Sequence, residues 1–321
     1  MDNPMNAPTT SSVAKQTGKI VWPESPSLKQ YFSLPYSIMY YMAMNPPTPE
    51  VYNKLIKSCK YFFERNPILV VERMDETSIC AERYCDSTGF DNQPCCVKYN
   101  INKIKSKFWL TRELHLSAAA TPNFISLLLP KLFLCEINQL TLFDKLVLFD
   151  DFKYLTSFAT FVALIDVKIV FNDGKVVMLE TILESIPEVE DFWYCFNEDY
   201  SMMTNATFKN ILKLKNLGNL KSFSMFYCIQ STNIPQVCNL EDLSQFIKEY
   251  RNTKFWLDFC NVGDENYKNQ MDALIDVIIE SNVLNRMIKY DGQDEEKFEI
   301  MEGYFYVTDQ EMEESDSDED A

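Results

Sequence analysis

Glycine is scarce in this 321-residue chain, which has 7 of them. Folds that rest on glycine-rich phosphate loops or on strings of tight hairpins are therefore disfavoured, because both need backbone conformations that glycine supplies. Histidine is scarcer still: His115 is the only one, which excludes any site built on two imidazoles. Positive charge is also short, with 30 Lys and Arg against 47 Asp and Glu, a formal net charge of −17. Seven acids fall in Glu311–Ala321, so about −10 belongs to the rest of the chain. An acidic surface repels phosphate backbones and anionic lipid, so neither nucleic acid nor membrane is an expected partner. Long apolar runs are missing as well. Nothing approaches the roughly 18 residues that a membrane span needs, and the first twenty residues lack the apolar centre of a secretory signal. The ten cysteines, scattered among apolar residues, then read as reduced core thiols of a cytoplasmic or nuclear protein.

Chemistry is equally thin. No P-loop, G-x-G-x-x-G, G-x-S-x-G or H-E-x-x-H motif occurs. His115 lies in the alternating stretch Leu114-His115-Leu116 and reads as a strand residue rather than a catalytic base. Cys80, Cys85, Cys95 and Cys96 could supply four thiolates, but their spacing departs from paired C-x₂₋₄-C knuckles. No catalytic residue, metal or cofactor is expected. Ser315 and Ser317 sit among carboxylates and suit kinases of the casein-kinase type.

What the chain has in quantity is hydrophobic residues, at 46%, and aromatics, with 23 Phe and 17 Tyr. Residues 1–27 are polar and proline-rich and read as a disordered arm that Trp22 could pin to the body. Residues 28–72 form a helical block. Leu34-Pro35 opens an amphipathic stretch that Asn45-Pro46-Pro47 stops. Thr48-Pro49-Glu50 then reads as N-cap, first helical residue and dipole-matched acid. Val51, Leu55, Cys59 and Phe62 follow on one face of a helix that Asn66-Pro67 ends. Residues 73–107 read as a connector with short strands, and 307–321 as an extended acidic tail.

Residues 108–306 show a rhythm of strand and helix. Strands are expected at Asp166–Phe171, Asp191–Phe196, Leu220–Cys228, Lys254–Cys260 and Arg286–Tyr290, and helices at Val177–Ser185, Ala206–Leu214, Leu240–Tyr250 and Tyr267–Glu280. Strand centres at Val167, Trp193, Ser224, Trp256 and Ile288 are 26, 31, 32 and 32 residues apart, with weaker copies near His115, Leu134 and Leu146. A period in this range marks stacked modules, each with an apolar face that it cannot bury alone. The expected fold class is α/β: a helical block followed by a leucine-rich-repeat-like solenoid, with an open doubly wound sheet as the alternative. Alternation puts Val167, Ile169, Phe223, Met225, Phe255, Leu257 and Phe259 in the core. It puts Asp166, Lys168, Trp193, Ser224, Trp256 and Asp258 on the outward face, where a protein would bind, unless the two tryptophans are themselves core residues.

Leu34-Pro35, Cys59-Lys60-Tyr61-Phe62, the segment Tyr52–Val71 and Asp151–Ser157 (DFKYLTS) resemble a nematode-expanded group of F-box-like proteins. The resemblance spans roughly residues 34–292. It implies that Leu34, Pro35, Ile38, Met42, Val51, Leu55, Cys59 and Phe62 form a block that docks on the adaptor subunit of a cullin-type ubiquitin ligase. The repeats would then hold a protein substrate. Two further readings stay open: a non-enzymatic scaffold in which the block only caps the repeats, and an enzyme, which would need a pocket of convergent polar groups.

Overall fold

The computed structural model describes residues 33–81, 96–118, 121, 123–197, 199–227, 239–259, 264–281 and 283–316, with backbone alone from 307. The arm at 1–27 with Trp22, Cys85, Cys95, Ser317 and the side chain of Ser315 lie outside the described residues.

The chain opens with three helices, α1 (Tyr36–Met44), α2 (Pro49–Ser58) and α3 (Lys60–Arg65). Thr48 caps α2 as its position implies: its Oγ1 accepts from Val51 N at 3.3 Å, with Pro49 in the first turn. The single helix expected from Val51 to Phe62 is broken. Cys59 adopts extended backbone, and its Sγ accepts from Tyr61 N at 3.3 Å, so it ends α2 and caps α3. Periodicity could not reveal this break, because α3 resumes with Phe62 directed to the same small core as Met39 and Ala43.

An α/β body follows, built on one large, mostly parallel, open sheet. Its strands are β1 (Ile68–Met74), β2 (Ser78–Cys80), β3 (Cys96–Lys98), β4 (Lys107–Leu116), β5 (Leu132–Cys135), β6 (Gln139–Leu148), β7 (Phe161–Val170), β8 (Asp191–Phe196), β9 (Ser222–Tyr227), β10 (Lys254–Asp258) and β11 (Arg286–Lys289). The helices between them are α4 (Phe124–Leu128), α5 (Phe149–Leu155), α6 (Leu179–Glu184), α7 (Thr207–Ile211), α8 (Leu240–Glu249) and α9 (Glu265–Glu280). A last helix, α10 (Glu295–Asp316), enters the segment expected to be an extended tail. No helix among the described residues is long and apolar enough to cross a membrane.

From β4 onward the strands stand side by side in chain order, without the reversal that defines a doubly wound sheet. β5 and β6 act as one interrupted strand beside β4: the first pairs with its beginning, the second with its end. The sheet also starts earlier than the rhythm suggested. β1 lies parallel to β4, and β2 and β3 add an antiparallel ribbon at that edge.

The module length is set by register. Ala163 pairs with Trp193, Trp193 with Ser224, Ser224 with Trp256 and Trp256 with Met287, giving steps of 30, 31, 32 and 31. Val167, taken as a strand centre from sequence, therefore stands four residues beyond the true partner of Trp193. The cause is the length of β7, ten residues with Asp166 at φ 53° inside it. The same backbone bond recurs at the foot of successive strands: Phe161 N donates to Asn138 O, Asp191 N to Thr160 O, Ser222 N to Glu190 O and Lys254 N to Lys221 O, all at 2.7–3.0 Å.

One face of the sheet carries the helices and the main core. There, residues at equivalent positions stack as rings: Phe192, Phe223 and Phe255 with centroids 5.8 and 6.0 Å apart, and Phe196, Tyr227 and Phe259 at 4.9 and 5.1 Å. Aromatic side chains do here what branched aliphatic ones do elsewhere; each ring removes a large area from water and stacks on its copy one module away. Arg286, buried beneath β10, ties this end together. Its guanidinium donates to the carbonyls of Tyr250 and Arg251 at 2.9 Å and to that of Thr253, and lies 4.7 Å from the Phe255 ring. Burial lowers its pKa to about 10.

Candidate binding face

Among the described residues the other face of the sheet has no helix layer. Two elements bracket it. At the β1–β4 end, Tyr52 and Ile56 of α2 pack over Ile68, Val70 and Trp109, and Trp109 Nε1 donates to Glu136 at 2.7 Å. At the other end α10 crosses the edge strand β11. Met301 and Phe305 are buried there, and the Phe305 ring meets Trp256 at 5.6 Å.

Between these brackets, register puts the residues in rows. The central row reads His115, Thr141, Ala163, Trp193, Ser224, Trp256, Met287 across β4, β6, β7, β8, β9, β10 and β11. The next row reads Phe143, Ile165, Cys195, Phe226, Asp258, Lys289. Rings join across these rows: His115 to Phe143 at 5.4 Å, Trp193 to Phe226 at 5.3 Å and Phe226 to Trp256 at 5.1 Å. Trp193 is 42% exposed; Phe143, Ile165, Phe226 and Trp256 are half-buried. All-parallel sheets ordinarily have both faces covered; among the described residues this face leaves Trp193 in solvent and Phe143, Ile165 and Phe226 partly so.

Of the six residues expected on the outward face, Trp193, Ser224 and Trp256 fall in one row and Asp258 in the next, where Lys289 stands 3.7 Å away. The seven expected core residues are all buried. Asp166 and Lys168 point out of the core as expected but lie elsewhere. Asp144 in β6 and Asp166 in β7 are opposite one another and both take positive φ, 47° and 53°. Aspartate tolerates that left-handed backbone better than most residues. Each inserts one extra residue at the same level, so the two strands keep register with each other but leave β8 behind, whose last partner on β7 is Ile165. Lys168 therefore cannot share a row with Trp193.

Beyond that break is a groove of about 280 Å³ lined by Asp144, Asp166, Lys168, Tyr194, Asn197 and Asp199 among others. Lys168 Nζ contacts Asp199 Oδ2 at 2.5 Å, and Asn197 Nδ2 donates to Asp166 Oδ2 at 3.0 Å. The hydrogen bond from Lys168, helped by one from Ser201, holds the Asp199 carboxyl down at about 2. Tyr194 OH donates to the Val167 carbonyl, and burial pushes its pKa up. At the foot of β8, burial and the neighbouring Glu190 push the Asp191 carboxyl up.

The eight residues of the helical block sort into two sets. Leu34, Pro35, Ile38 and Val51 are exposed; Met42, Leu55 and Cys59 are half-buried against the small core, and Phe62 is inside it. Two exposed tyrosines of α1, Tyr36 and Tyr40, carry no signal in the sequence, while Tyr41, on the same side of the stretch as Ile38 and Met42, is 67% exposed. Phe143, Ile165 and Phe226 on the open face were likewise missed. Strand alternation carried the signal for Phe226; Phe143 and Ile165 sit next to the two inserted aspartates, where alternation fails.

His115 stands on the open face beside Phe143, away from the carboxylate groove. Cys80 and Cys96 are paired in register on β2 and β3. Among the described residues no group of three or more His, Cys, Asp or Glu is placed to hold a metal ion. No family model matches the chain, and no curated protein matches it.

Proposed function

We propose that this protein is a non-catalytic, protein-binding subunit whose sequential strand–helix modules act as a leucine-rich-repeat-like solenoid and hold a protein on their bare face. The observation that carries this reading is that, among the described residues, Trp193 with Phe143, Ile165 and Phe226 stays exposed or half-buried on one face of a mostly parallel sheet. Within that reading, α1 to α3 form the F-box-like block, and the protein is the substrate-recognition component of a cullin-type ubiquitin ligase. Support comes from α1, which leaves Tyr36, Ile38, Tyr40 and Tyr41 in solvent, with Leu34 exposed just before it, while Met39 and Ala43 anchor it to α3. An exposed aromatic helix face of this kind suits a partner rather than solvent. Such a subunit does no chemistry; it raises the effective concentration of substrate near the ligase.

The test is co-purification of the full chain with the purified adaptor subunit. A stable complex is expected, and Ile38→Glu together with Tyr41→Glu should abolish it without shifting the melting temperature, since both side chains are exposed. A folded chain that makes no complex leaves the second reading, a repeat scaffold without a ligase. The packing of Tyr52 and Ile56 over Trp109 favours that one, because it gives α2 a capping role whatever α1 does.

A further inference from the structure

The chemistry of the partner can be read from what surrounds the apolar row, given the reading above that the open face is the binding surface. We propose that this face takes a single segment of another protein that carries large apolar side chains and at least one lysine or arginine.

The shape argues for a segment. The row runs across seven strands from His115 to Met287, roughly 30 Å at about 4.8 Å per strand, and is bracketed by α2 at one end and α10 at the other. It is only a few residues deep, because the next row already ends in Asp258 and Lys289. Within it, small and large residues alternate: Ala163, Trp193, Ser224, Trp256. Ser224 thus makes a dimple walled by two indoles, with Phe226 beside it in ring contact with both. A large apolar side chain fits there, in the kind of aromatic-walled setting that anchors interfaces.

The sign of the charge argues for a cation. Carboxylates border the row at both ends of the strands: Asp191 at the foot of β8, Asp258 at the end of β10, and Asp144, Asp166 and Asp199 in the groove. The lysines nearby are already engaged. Lys168 is on Asp199, Lys289 near Asp258, and Lys254 lies 4.1 Å from the Phe305 ring. Lys221 is on Glu190 at 2.6 Å. Among the described residues Asp144, Asp166 and Asp191 have no ion-pair partner. The chain's formal charge of −17 adds a long-range field of the same sign. Asp144, Asp166 and Asp191 can pair with a basic segment, and the net negative charge disfavours an acidic one.

The experiment is selection from a phage-displayed library of random 12-residue peptides on the full-length wild-type chain. The Trp193→Ala and Ser224→Trp chains serve as counter-targets, and circular dichroism and melting temperature are checked on all three. Enriched sequences should combine two or more large apolar residues with Lys or Arg. Their binding should weaken with added salt and fall at least tenfold on both variants, because one removes the wall of the dimple and the other fills it. Enrichment of acidic or uncharged sequences that still depend on Trp193 would overturn the inference about charge and leave the open face as the binding surface. Sequences that bind wild type and both variants alike, or no enrichment at all, would overturn both. Selection of purely basic peptides without apolar residues would also overturn the proposal, since the row would then play no part.

Discussion

The helical block and the sheet body bury their apolar side chains on different scales. Residues 36–65 gather Met39, Ala43 and Phe62 into a small core, propped by half-buried neighbours such as Met42 and Leu55. The body has one continuous core from Val71 to Phe305, in which each module covers the apolar side of the one before. A cluster of three buried residues is too little for independent stability, and the block relies on Tyr52, whose hydroxyl donates to Asn66 O at 2.5 Å and accepts from Ile68 N at 3.1 Å. The small region can spend its outer face on exposed tyrosines because the large one supplies the stability.

Breaking the body should show the largest effect. Phe223→Ala opens a hole where Phe192, Phe246 and Phe255 all meet that ring, and should cost roughly 3–5 kcal/mol in urea unfolding. Arg286→Met should follow at about 3 kcal/mol, because at least three backbone carbonyls lose their donor. Phe62→Ala tests the contrast directly. Hydrogen exchange should speed in α1 to α3 while the amides of β7 to β10 stay protected. If protection falls throughout, the two regions are one cooperative unit and the contrast is wrong.

Two smaller effects sharpen it from the open face. Asp199 has its folded-state pKa lowered from 3.8 to about 2 by Lys168 and Ser201, so its contribution is fully present above the unfolded value and is lost as pH falls towards about 2. Both partners are nearly half exposed, so screening keeps the effect small. Asp199→Asn should flatten that part of the stability–pH curve and leave neutral-pH stability nearly unchanged. Trp193→Ala should cost no more than about 1 kcal/mol, the scale of its ring contact with Phe226. A large loss of melting temperature would instead make Trp193 a core residue.

The fold is most legible in the sequence where one rule governs a whole element. β8 is at Asp191–Phe196 as expected, and the interior parity of Phe223, Met225, Phe255, Leu257 and Phe259 follows from simple alternation. Thr48-Pro49 marks its helix start. The fold is least legible where two local signals compete. Cys59 interrupts a helix whose apolar spacing continues across the break, and Asp144 and Asp166 each insert a residue into a strand that still looks regular. Of the outward-face residues, Trp193, Ser224 and Trp256 were legible as a set. The groove residues Asn197 and Asp199 were not, since loop positions carry no period.

By itself, then, the chain's composition and rhythm determined alternating strands and helices around a parallel sheet and an excess of acidic charge. Apolar spacing is a local property that any 30-residue stretch displays. Tertiary structure alone decided which indole remains in water, that His115 and Trp256 share a row, and that two helices from opposite ends of the chain bracket it. Those facts depend on register between strands many residues apart, and register is settled only when the strands meet.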